Sequence, residues 1–360
     1  MKWLIGWVLG VVHGARPNVL VIVADDLGWN DIGLHNSFLD TPNIDGLIGE
    51  SLHLRNYYVN PICTPTRSVL LSGRYQIHTG LQHSVIIAPE PYGMPLDDIL
   101  LPEVLKNCGY KTHIVGKWHL LSDFQKQLNY DCFKMLIHKK SLKQNYDKKF
   151  SLFITDIWIF EQTGFYRKEF LPENRGFDSH YGYLVGAEGH FNHTECIAGY
   201  CGVDFRIDGK STNSTFGKYN ADLFAARVEQ LVDEHAFEDT PLFLYAGLQN
   251  VHYPLEAPAE YVKKYEWIED ANRRHFAAMT AAMDVTVGRI VDAFKAKGVW
   301  DETIVLFTTD NGGSTLYGGN NWPLRGLKNT LWSGYDYKLI HTLQPFLFDS
   351  ERIFRLGLFQ

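Results

Sequence analysis

The sequence predicts an α/β fold built on a large, mainly parallel mixed sheet flanked by helices. Four short apolar runs that each end in a polar cluster carry that expectation, together with three amphipathic stretches. Near-continuous apolar runs of this length read as strands covered on both faces, the condition of a parallel sheet. The first, Asn18–Ala24 (NVLVIVA), leads into Asp25-Asp26. Thr112–Val115 leads into Gly116-Lys117-Trp118-His119, and Pro241–Ala246 (PLFLYA) into Gln249-Asn250-Val251-His252. Thr303–Thr308 leads into Asp310-Asn311-Gly312-Gly313. Helices are expected over Asp98–Asn107, Asn220–His235 and Asn272–Lys297, where apolar residues recur every three or four positions and Gly298 marks the last stop. Open α/β sheets bind ligands beyond the carboxyl ends of their strands, where all four polar clusters fall.

Composition narrows the function classes. Of 360 residues, 45% are hydrophobic and 21% charged, which excludes wholesale disorder and collagen-like repeats. Lys and Arg number 34 against 41 Asp and Glu, a net charge of −7 without a long basic run. Nucleic-acid binding rests on phosphate neutralisation, so no nucleic-acid partner is expected. Residues 1–15 combine Lys2, an apolar run from Trp3 to Val12 and small residues at Gly14 and Ala15. That is the pattern of a secretory signal, and the run is too short to span a bilayer, so no transmembrane segment is expected. Sequons at Asn192 and Asn213 fit a glycoprotein on the secretory route, lysosomal or secreted. Cys196 and Cys201 lie close enough in sequence to pair; with five Cys in all, at least one is left over.

Two stretches break the pattern. Residues 121–163 contain no Gly, Pro, Ala, Val or Arg, yet hold seven Lys in 43 residues, directly after the His119 cluster. This stretch reads either as a surface insertion or as sequence absent from the mature protein, and residues 333–360 form a similarly atypical tail without a further strand–cluster unit. A single domain over 16–332 is expected between signal and tail.

The chemistry concentrates in Pro61-Ile62-Cys63-Thr64-Pro65-Thr66-Arg67, followed by Leu71-Ser72-Gly73-Arg74. Pro65 is expected at the first position of an amphipathic helix, whose N-terminus would favour negative charge on a nucleophile at Cys63. Arg67 would lie one turn above. Asp25-Asp26 and Asp310-Asn311 at two strand ends are oxygen donors of the kind that hold Ca²⁺ or Mg²⁺.

This Cys-x-Pro-x-Arg segment resembles the signature of the type I, formylglycine-dependent sulfatases, and its surroundings resemble arylsulfatase B and its relatives, over roughly 16–120 and 164–332. The resemblance implies an alkaline-phosphatase-like sandwich whose small C-terminal antiparallel domain is missing from this chain. It implies that Cys63 is oxidised by a formylglycine-generating enzyme to an aldehyde, whose hydrate attacks sulfur with one oxygen and expels sulfate through the other. A metal site of Asp25, Asp26, residue 63, Asp310 and Asn311 would hold one Ca²⁺. Lys117, His252 and Lys328 would bind sulfate, and His252 or Lys328 would protonate the leaving alcohol. His119 would orient the hydrate and Arg67 hold residue 63. The implied activity is hydrolysis of sulfate monoesters, on an aryl sulfate or a sulfated carbohydrate such as N-acetylgalactosamine 4-sulfate. The alternatives are a phosphomonoester or phosphonate hydrolase of the same superfamily, and an inactive truncated product.

Overall fold

A computed structural model describes residues 16–54, 57–87, 92–120, 167–197 and 200–332, together with a strand at 339–342. The expected signal over 1–15, the insertion 121–163 and the rest of the tail lie outside the described residues. The strands are β1 (Asn18–Ala24), β2 (Leu52–Leu54), β3 (Lys111–Lys117), β4 (Ser179–Tyr183), β5 (Thr194–Ile197), β6 (Tyr200–Val203), β7 (Arg206–Ile207), β8 (Lys210–Ser211), β9 (Leu242–Gly247), β10 (Thr303–Thr309) and β11 (Leu339–Thr342). The α-helices are α1 (Pro42–Gly49), α2 (Cys63–Ser72), α3 (Gln76–Thr79), α4 (Leu101–Asn107), α5 (Asn220–Glu234), α6 (Ala259–Lys264) and α7 (Ala271–Ala296).

Nine strands form one sheet in the order β2-β11-β10-β1-β9-β3-β4-β7-β8. Its centre, β10-β1-β9-β3-β4, is parallel throughout, and β11 and β7 flank it antiparallel. The fold is therefore the expected mixed, mainly parallel α/β sheet. All four apolar runs are strands of that parallel centre, because each is packed on two faces. Along β1, Leu20, Ile22 and Ala24 join the core under α5 and α7, while Val21 and Val23 join the core that includes Leu71 of α2 and Leu100. β9 divides likewise, Leu242, Leu244 and Ala246 against Phe243 and Tyr245. A fully buried Leu or Phe contributes roughly 1.5–3 kcal/mol, so these strands anchor the sheet.

Two helix starts and one strand differ from expectation beyond shifts of a residue or two. Helix α2 begins at Cys63, placing Pro65 third rather than first. Proline is tolerated there because the first-turn N–H groups have no partner inside the helix. Helix α4 begins at Leu101 rather than Asp98, with Pro102 in its first turn. The tail supplies β11, a strand the sequence pattern did not mark, paired between β10 and β2. Helix α7 opens on the Asp270 side chain, which accepts from the Arg273 N–H at 2.7 Å, and is followed by Gly298 at φ +75°. Cys196 and Cys201 are disulfide-bonded across the β5–β6 hairpin. None of the helices among the described residues is long and apolar enough to cross a membrane.

Candidate active site

The ends of β1, β9 and β10 deliver three loops to one place. The Asp25 N–H donates to the Asn250 carbonyl at 2.9 Å, the Val251 N–H returns to the Asp25 carbonyl at 2.6 Å, and the Asp310 N–H reaches the Ala24 carbonyl at 3.0 Å. These bonds continue the ladder past the last strand residues and set Asp25, Asp310 and the His252 loop side by side. Asp26 turns out of line at φ +61°, a left-handed conformation that Asp tolerates better than most residues.

Helix α2 projects into the same space. Donor atoms of Asp25, Asp26, Cys63 and His252 all lie within 4.8 Å of one another. The Cys63 thiol donates to Asp25 Oδ1 at 3.8 Å. One turn on, the Arg67 guanidinium is fully buried and donates to Asp310 Oδ2 from Nε at 3.0 Å and from Nη2 at 2.8 Å. Its Nη1 donates to the Lys117 carbonyl at 3.1 Å and to the Tyr245 hydroxyl at 3.5 Å. Gly247 borders this guanidinium, and Gly116 lets the Gly247 backbone come close. A Cβ on Gly247 would stand 3.2 Å from Arg67 Nη1, and one on Gly116, at φ +96°, would stand 1.9 Å from the Gly247 carbonyl oxygen.

Each carboxylate faces a cation. Lys117 Nζ lies 2.5 Å from Asp25 Oδ2, and Lys328 Nζ lies 2.6 Å from Asp26 Oδ1, which also accepts from Asn311 Nδ2 at 2.7 Å. His252 Nε2 is 3.8 Å from Asp26 Oδ2. Burial would raise Asp26, but Lys328 and His252 outweigh it and hold the carboxyl at about 2. Burial also opposes ionisation of Asp310, and Arg67 and Lys117 bring it below the usual range. Burial, and then the Asp310 charge, push Asp25 up to about 7 against Lys117 and Arg67. That carboxylate is short of positive charge.

The residues present suit a hard divalent cation. Asn311 Oδ1 is buried without a hydrogen-bond partner, an open acceptor beside Asp26. Asp25, Asp26 and Asn311 supply oxygen donors, and the Cys63 sulfur is the soft atom among them. Oxygen in place of that sulfur would complete a hard set. Of the five expected ligands, Asp310 gives Oδ2 to Arg67 and keeps Oδ1 on the site side, 3.4 Å from the Asp26 N–H, and His252 also stands within reach.

His119 is buried at φ +54°, near Lys117 and Arg67. Its Nε2 lies 2.9 Å from the Ile86 carbonyl, which can only accept, so Nε2 carries the proton. Nδ1 is then a buried lone pair without a hydrogen-bond partner. Burial, with Lys117 and Arg67 nearby, drives this imidazole well below the usual histidine range. Thr64 fixes the arrangement: its hydroxyl donates to the His119 carbonyl at 3.2 Å and accepts from the Ile86 N–H at 3.1 Å. The structure thus brings all ten singled-out residues to one rim. Sequence reasoning missed Thr64 and Tyr245. Thr64 sits inside the Cys-x-Pro-x-Arg segment, whereas nothing distinguishes Tyr245 from other strand residues.

The sulfatase family model matches residues 17–340. The chain belongs to the sulfatase family. It is 38% identical over 327 residues to mouse arylsulfatase J, covering 90% of this chain and 47% of that protein. It is 26% identical over 342 residues to human N-acetylgalactosamine-6-sulfatase, covering 88% of this chain and 55% of that one. The chain thus spans about half the length of these curated relatives. Among solved structures, Ps i-CgsB in complex with k-i-k-neocarrahexaose superposes with TM-score 0.74 at 27% identity, over 92% of this chain and 66% of that one. The expected likeness to arylsulfatase B therefore holds at the level of the family, whose alkaline-phosphatase-like sandwich this chain shares.

Proposed function

We propose that this chain carries the catalytic region of a sulfuric ester hydrolase that uses a formylglycine made from Cys63 and one Ca²⁺. The observation that carries the reading is the convergence of Cys63, Asp25, Asp26 and His252 within 4.8 Å, flanked by Lys117, Lys328 and Arg67. Asp25, Asp26, Asp310, Asn311 and residue 63 would hold the cation, which when bound withdraws charge from a sulfate oxygen. Lys117, Lys328 and His252 bind the sulfate and offset charge that grows as the ester bond breaks. His119, protonated at Nε2, offers Nδ1 to accept a proton from the hydrated aldehyde. His252 and Lys328 retain some exposure, 18% and 12%, and stand where a leaving alcohol can take its proton.

A sulfated carbohydrate is the proposed substrate, with N-acetylgalactosamine 4-sulfate of a glycosaminoglycan as the specific expectation. Relatives named for N-acetylgalactosamine-6-sulfate and solved with a neocarrahexaose support the class. Entry into the secretory pathway, modification there by a formylglycine-generating enzyme, glycosylation at Asn192 and Asn213, and a lysosomal or secreted destination follow as proposals.

The test is the mass of the tryptic peptide 56–67 from the full chain secreted by a eukaryotic host, with turnover of an aryl sulfate. Loss of the thiol in favour of an aldehyde is expected, with no turnover above background in Cys63→Ala. An unmodified Cys63, undiminished turnover by Cys63→Ala, or turnover of a phosphate monoester in preference to the sulfate would overturn the reading.

A further inference from the structure

The charged floor of the site is closed to solvent on most sides. Asp25, Arg67, Lys117 and Asp310 have fully buried side chains and Asp26 is nearly so; among these charged groups of the site, His252 and Lys328 are the most open. A substrate must therefore approach across those two residues.

Two tyrosines stand on the loops that carry them. Tyr253 follows His252 directly, and its carbonyl lies 2.6 Å from His252 Nδ1, which ties the imidazole to the Tyr253 backbone. Tyr317 lies in the short turn Thr315–Tyr317, on the loop that leaves the site at Asn311 and returns at Lys328. That loop is held in place: Arg273 Nη1 donates to the Gly318 carbonyl at 2.8 Å, and the Lys328 N–H donates to the Gly313 carbonyl at 3.3 Å. The two rings meet with centroids 4.8 Å apart and planes inclined at 31°. Tyr253 is nevertheless 51% exposed and Tyr317 39% exposed. Each ring covers part of the other, and about half of Tyr253 stays in water, one residue on from His252 and paired with the loop that carries Asn311 and Lys328.

We propose that Tyr253, backed by Tyr317, is the surface on which the sugar ring of the substrate lies. The proposal rests on the sulfatase reading above and assigns a contact for the carbohydrate portion. A pyranose has a face of axial C–H bonds and a rim of hydroxyls; the C–H face suits the electron-rich face of a phenol ring, and the rim stays hydrated. An anionic ester on that rim can then reach Lys328 and His252. Tyr317 limits the rotation of Tyr253 and so lowers the entropy lost on binding.

The experiment uses the full chain and a disaccharide carrying N-acetylgalactosamine 4-sulfate, with inorganic sulfate as a competing anion. In Tyr253→Ala, KM for the disaccharide is expected to rise roughly tenfold, with kcat within about twofold and the inhibition constant of sulfate unchanged. Tyr253→Phe keeps the ring and is expected to behave as the parent. Tyr317→Ala gives a smaller rise in KM and is a second reading should Tyr253→Ala fail to fold. Unchanged KM in the alanine variants, or KM and the sulfate constant rising together, would overturn the sugar contact alone. A parent chain that turns over phosphate monoesters but no sulfated sugar would overturn the sulfatase reading and the contact with it.

Discussion

Two clusters of acids, the active site and the group at the β5–β6 hairpin, differ in what stands beside their carboxyls. In the site Asp25, Asp26 and Asp310 face Lys117, Lys328 and Arg67, and two of the three carboxyls are held low. Under the hairpin, burial pushes Glu188 well above the usual carboxylate range, Glu195 to about 7 and Asp204 upward, with Arg206 beside Asp204 and no lysine–carboxylate ion pair described there. The hydrogen bonds agree. Burial moves His193 below the usual histidine range and favours the neutral ring; its Nε2 donates to the Thr215 carbonyl at 3.1 Å, which leaves Nδ1 a lone pair 3.2 Å from Glu188 Oε1. Only a protonated Glu188 can donate to it. Burial alone therefore does not make a functional acid. Cations at the strand ends hold Asp26 and Asp310 below the usual carboxylate range, while Glu188, facing a histidine lone pair instead of a cation, is held well above it.

The largest expected break of this contrast is Arg67→Ala. It leaves Asp310 and Asp25 buried without their guanidinium, which costs roughly 3–5 kcal/mol in urea denaturation. A loss below about 1 kcal/mol would show that the site carboxylates are not compensated by Arg67. Calcium sharpens the contrast next. At one hundred times its Kd it should stabilise the chain by about 2.7 kcal/mol in thermal unfolding, and Asp26→Asn should reduce or remove that gain. Equal melting with and without Ca²⁺ would contradict a cation site there.

The smallest expected effect lies under the hairpin. Glu188 has a folded pKa above its unfolded value, so its contribution to stability is full below about pH 4.5 and is lost as pH rises toward the folded value. Glu188→Gln keeps a donor for His193 Nδ1 and removes the titration. Its stability relative to the parent should therefore rise with pH, by up to about 1.4 kcal/mol per unit. A parallel pH dependence in the two proteins would mean that Glu188 is ionised.

Much of this was legible along the chain. The run Asn18–Ala24 matches β1 residue for residue, and the other three runs lie within a residue or two of β3, β9 and β10. The strand β4 was not legible, because Ser-His-Tyr-Gly-Tyr carries no apolar run; its position comes from pairing with β3. β11 escaped notice for a related reason: four residues at the sheet's margin carry too little pattern. Asp25, Asp26, Asp310, Asn311, Cys63 and Lys117 could be singled out because each sits in a short motif at the end of a strand or the start of a helix, whereas Lys328 lies in a turn and was marked through the resemblance.

What the sequence determined by itself was the set of chemical groups and the strands and helices that present them, since local periodicity and motif spacing are properties of neighbouring residues. The tertiary structure alone decided which groups meet. Arg67 reaches Asp310, 243 positions away, across strand ends where Gly247 leaves its guanidinium uncrowded and Gly116 lets the Gly247 backbone come close. The tautomer of His119 is set by the Ile86 carbonyl, and the protonation of Glu188 by His193 and by burial. Charge state and proton position depend on distance and dielectric, which no spacing along the chain encodes.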